Sequence, residues 1–64
     1  MRAMSPLEDL HRKRAEYLEN EHSARTKATY SADPEDRSYW QQLAVSWHNL
    51  ADHIDRAISQ VHQP

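Results

Sequence analysis

The chain has 64 residues, a formal net charge of −2, and no cysteine, glycine or phenylalanine. That length allows one small domain at most, in the range where a single core is marginal and association often completes it. The lack of cysteine excludes disulfides, zinc–thiolate sites and thiol redox chemistry while leaving the compartment open, and the slight acidity argues against a generic attraction to nucleic acid or anionic lipid.

The opening stretch "MRAMSPLEDLHRKRAE" becomes charged before an apolar run can form. It is therefore expected to be neither a secretory signal nor a membrane span, with a cytoplasmic location as the default. The first helix start is "SPLE": Ser5 as N-cap, Pro6 at the first helical position, and Glu8 three residues after the cap. The predicted first helix runs over residues 6–29. A turn at about 30–33 follows, and "DPED" then repeats the start signal. Asp33 caps, Pro34 is preset for the first turn, and Glu35 and Asp36 sit where the helix dipole favours negative charge. Pro34 also drives Asp33 out of the α region and so ends the preceding helix. The predicted second helix covers residues 34–61, and residues 1–64 form one helical-hairpin domain. No alternating pattern competes for a strand.

The second helix carries a wide apolar stripe. Trp40, Leu43, Trp47, Leu50, Ile54, Ala57 and Val61 recur at spacings of three and four, with Ala44, Ala51 and Ile58 widening one side. Val45 is the single apolar residue outside it. The first helix is poorer: Leu7, Leu10, Tyr17, Ala24 and Ala28 share a face with Arg14 and Glu21, and Leu18 lies at its edge. Glu8 with Arg12, Asp9 with Lys13 and Glu21 with Arg25 are acid-before-base pairs four residues apart, which support a solvated helix. An antiparallel hairpin sets Ala24 opposite Trp40, Tyr17 opposite Trp47 and Leu10 opposite Ile54, and brings the Arg14 guanidinium within reach of the Trp47 ring.

The runs "RAEYL" and "SADPEDRSYWQQLAVSWHNLADHIDRA" resemble a group of short, uncharacterised helical proteins of α-proteobacteria. In these an Arg-Ala-Glu helix leads through an Ala-x-Asp-Pro-Glu turn into a helix of repeated Leu-Ala and Trp or Tyr. The resemblance covers roughly residues 11–57 and implies a helical hairpin. It carries no catalytic residues. The chain departs from the group in its many histidines and in having Tyr39 and Trp40 together.

Histidine is where chemistry is sought first. Glu8 with His11 and Glu19 with His22 are Glu-x-x-His pairs, the spacing used by di-iron carboxylate bundles. Both lie at the edge of the first helix's stripe, and the second helix offers no inward carboxylate beyond Asp36, so solvated flank residues are the expectation. His48 with Asp52 and Asp55 makes an exposed outer-face group rather than an enclosed metal site. No serine has a plausible base and oxyanion donor, and no glycine-rich loop exists to hold phosphate. Arg12, Lys13 and Arg14 point about 100° apart and so wrap the helix rather than form a nucleic-acid patch. A membrane-surface role for residues 34–61 is disfavoured because the polar face there is acidic.

The expected architecture is all-α: a two-helix antiparallel hairpin that self-associates into a four-helix bundle. The stripe of the second helix is wider than one partner helix covers. Leu43, Leu50 and Ala57 are expected to close the hairpin, and Trp40, Ala44, Trp47, Ala51, Ile54 and Ile58 to meet another chain. The expected function is a non-enzymatic interaction module without cofactor or metal, partnered by a second copy or by a larger protein complex. A bundle that binds metal or RNA is the alternative.

Overall fold

A computed structural model of the protein describes residues 5–62. The first four residues and the last two of the predicted domain lie outside the described residues. Two helices account for the described residues: α1, Pro6–Tyr30, and α2, Pro34–His62, packed against one another as a hairpin. Each runs one residue past its predicted end.

The starts follow from the local chemistry of the caps. Ser5 is extended, and its hydroxyl accepts the Glu8 backbone N–H at 3.2 Å. The Asp33 carboxylate accepts the Glu35 N–H at 2.9 Å, and its carbonyl accepts the Arg37 N–H at 3.0 Å. At the far end of α1, Ser31 is extended, with its hydroxyl on the Lys27 carbonyl at 2.6 Å and its N–H on the Ala28 carbonyl at 3.4 Å. Arg37 reaches back from α2 to donate to the Ser31 carbonyl at 3.1 Å. These bonds satisfy end groups that a helix leaves unpaired. The reversal needs no left-handed residue among the described residues, which is how a chain without glycine makes it.

The seam between the helices is built from alanine. Ala24 and Ala28 of α1 and Ala44 and Ala51 of α2 are the buried apolar residues, and no large side chain among the described residues is fully buried. Small residues let two helices approach to the short end of the usual 8–10 Å separation. Tyr17 then stacks on Trp47 across the seam, ring centroids 5.7 Å apart and planes at 28°. The result is a slab of 48 × 28 × 11 Å, one helix layer thick.

The alanine flank of α2, expected to meet another chain, faces α1 instead, while Leu43 and Ala57 of the flank expected to close the hairpin are half-buried. Ala44 is 0% and Ala51 2% exposed, turned in against α1, so neither is available to a second chain. Trp40, Trp47, Ile54 and Ile58 are half-buried along the same seam. Leu50, expected to close the hairpin, is 42% exposed on the outside. The physical reason is separation: the alanine flank allows a closer approach to α1 than the leucine flank would.

Candidate functional site

The two long edges of the hairpin differ in chemistry. Along one edge the helices are tied by charge. The Arg14 guanidinium donates to the Asp55 carboxylate, and His48 Nδ1 lies 3.3 Å from Glu21 Oε1. Glu21 is also gripped by Arg25 at 2.8 Å, and its side chain is only 14% exposed. The Arg25 hydrogen bond, with His48 adding to it, holds the Glu21 carboxyl below its ordinary range against the opposing effect of burial. The carboxylate on the apolar face of α1 is thus accommodated by a guanidinium on its own helix and an imidazole from the other.

Two expectations are corrected here. Arg14 turns to Asp55 rather than to the Trp47 ring, because a carboxylate within reach offers a charge-assisted bond where the indole offers only a quadrupole. The cation that does cover an indole is Lys27, whose Nζ stands 4.5 Å from the centre of the Trp40 ring. His48 bonds across the hairpin to Glu21 rather than along its own helix to Asp52, whose carboxylate takes Arg56 at 3.0 Å.

The other edge is where the apolar flank of α2 lies. Trp40, Leu43 and Trp47 line an open groove whose α1 wall is Asn20, Ser23, Ala24 and Lys27. Tyr39 meets Trp40 edge-on, centroids 5.1 Å apart at 73°. Leu43 is half-buried in the groove; beyond it Ile54 and Ala57 are half-buried, and Leu50 and Val61 are exposed. Apart from Ala24 the α1 wall is polar, and among the described residues it leaves the outer side of this stripe open at Leu50 and Val61. On the far side of α2, Val45 is exposed among Ser38, Gln41 and Gln42, the isolated apolar residue anticipated from the pattern.

Among the described residues no group of three or more His, Asp and Glu is placed to hold a metal ion. His11, Glu19 and His22 are exposed on α1. The basic run is paired. Arg12 takes Asp9 at 2.8 Å and Glu16 at 2.6 Å, Lys13 takes Asp9 at 3.4 Å, and Arg14 takes Asp55. Arg12 and Lys13 together hold the Asp9 carboxyl below its ordinary range. No helix among the described residues is long and apolar enough to cross a membrane.

No family model, no curated protein and no solved structure matches this chain.

Proposed function

We propose that this hairpin is a non-enzymatic protein–protein interaction module that works through the outer flank of α2, and that a second copy of the chain covers that flank to make a four-helix bundle. The surface consists of Leu43, Leu50 and Ala57 together with the outer edges of Trp40, Trp47 and Ile54. Ala44 and Ala51 have no part in it, since α1 already covers them. One observation carries the reading: the described fold buries four alanines and no large side chain, while leucine, isoleucine and tryptophan are left half-covered beside a polar wall. Apolar surface of that kind, contiguous along a helix and rimmed by polar residues, marks an interaction site, and chains of this size commonly complete their core by association. The resemblance to α-proteobacterial hairpin proteins fits this reading in fold and adds no activity to it.

Light scattering after size exclusion at micromolar concentration tests the proposal. The expected mass is twice that of the chain, with thermal unfolding that shifts upward as concentration rises. A monomer that melts cooperatively and independently of concentration overturns it. A monomer with helical circular dichroism but no cooperative melt replaces the second copy with a different protein as the covering partner.

A further inference from the structure

We propose that the second copy docks antiparallel, α2 against α2, about a two-fold axis level with the peptide between His48 and Asn49. This rests on the self-association proposed above and adds its geometry. From Asp36 to Val61 the outward stripe of α2 has spacings of 4, 3, 4, 3, 4, 3 and 4 residues, an unbroken heptad seam. That series reads the same in both directions. A two-fold axis at its centre therefore places every stripe residue opposite a stripe residue of the other copy.

The sizes agree with that arrangement. The axis sets Trp40 against Ala57, Trp47 against Leu50 and Leu43 against Ile54, so neither tryptophan meets another tryptophan and the volume per layer is more even than in a parallel pair. A parallel pair puts each residue against itself: Trp40 on Trp40, Ala57 on Ala57. Two layers are then overfilled and one is left hollow, and interiors tolerate neither. Charge points the same way. In the parallel order Asp36 faces its own copy at the mouth of the seam, whereas the antiparallel order sets it beside Val61 and opposes the two helix dipoles.

The structure leaves room for this partner. Leu50 and Val61 are exposed, and the α1 residues beside the stripe, Asn20, Ser23 and Lys27, are polar, so α1 stays at the side while the two α2 helices meet. A 3.5-residue repeat held over this length gives a left-handed crossing near 20°. The seam spans 25 residues, about 38 Å. A stable pair needs to remove about 600 Å² from each partner, roughly an eighth of the 5097 Å² accessible on the single chain.

Cross-linking of the full chain, which has no cysteine of its own, tests the geometry. Leu43→Cys and Ile54→Cys are prepared separately, checked for retained helicity, mixed in equal amounts and oxidised with diamide. The expected disulfide joins unlike chains only. In the antiparallel pair like positions are 11 residues out of register, about 16 Å apart along the axis, beyond the reach of a disulfide. Disulfides between like chains overturn the antiparallel order while self-association stands. A dimeric mass with no cross-link in either combination overturns the α2-to-α2 contact. A monomeric wild-type mass overturns the proposed function and the geometry together. Should the cysteine variants lose helicity, a nitroxide on Gln60→Cys, at an exposed site outside the stripe, decides instead. The antiparallel pair separates the two labels by about 35 Å along the axis, and the parallel pair places them side by side, which overturns the proposal.

Discussion

Tyr17 and Trp47 stack across the hairpin with ring centroids 5.7 Å apart, an aromatic side chain of α1 against an aromatic side chain of α2. Offset aromatic pairs contribute about 0.5–1.5 kcal/mol beyond their area burial. Tyr17→Leu with Trp47→Leu in a double-mutant cycle is expected to give a coupling in that range. A coupling near zero would mean that the rings are neighbours without being partners.

A large or charged residue at Ala44 is expected to damage the hairpin itself. Ala44 is fully buried against α1, and overfilling a packed site costs about 1–3 kcal/mol. Ala44→Leu should lower the melting temperature steeply, and Ala44→Glu together with Ala51→Glu should abolish cooperative unfolding by placing carboxylates in the seam. If the double variant keeps wild-type helicity and melts normally, the alanine seam is misplaced.

By contrast, Leu50→Glu acts on the outside. Leu50 is 42% exposed, so the substitution is expected to leave helicity nearly unchanged while shifting the mass measured by light scattering toward the monomer. Unfolding of this variant with no change in association would place Leu50 inside the fold instead.

Acid should loosen the charged edge. The Glu21 carboxyl is held below its ordinary range, first by Arg25 and then by His48. A lowered folded-state pKa means that the unfolded chain takes up the proton first, so the stabilisation is complete above the unfolded value of about 4.3. It fades as pH falls through the lower folded-state value. The melting temperature should therefore drop on acidification below about pH 4.3, and Glu21→Gln should flatten part of that drop. Parallel curves for the two proteins would show that Glu21 titrates alike in both states.

The Arg14–Asp55 tie is expected to be weak. Both side chains are about half exposed, and exposed pairs of this kind contribute roughly 0.2–1 kcal/mol, less as salt rises. A cycle of Arg14→Ala and Asp55→Ala at low and high ionic strength measures it, and a coupling that ignores salt would contradict a solvent-screened pair. Lys27→Met, in turn, should alter Trp fluorescence through loss of the cation above Trp40.

The sequence alone determined the helices and their limits, because those depend on bonds only a few residues long. Ser5 and Asp33 cap through contacts three and two residues away, respectively, and each proline admits one backbone shape. The pairing of Tyr17 with Trp47 was legible as well, since it follows from counting outward from the turn. What only the tertiary structure decided is how α2 is rotated about its axis. A stripe more than 100° wide fits a partner on either flank, and the apolar pattern scores both flanks alike. Separation broke that tie. Ala44 and Ala51 let α1 come closer than Leu43 and Leu50 would, so the small residues went inside, Leu43 was left half-buried at the rim and Leu50 was left exposed. The same rotation chose the partners of the charged residues. Once α2 presented His48 and Asp55 beside α1, Glu21 and Arg14 had charge-assisted bonds within reach, which the spacing of residues along one helix does not reveal.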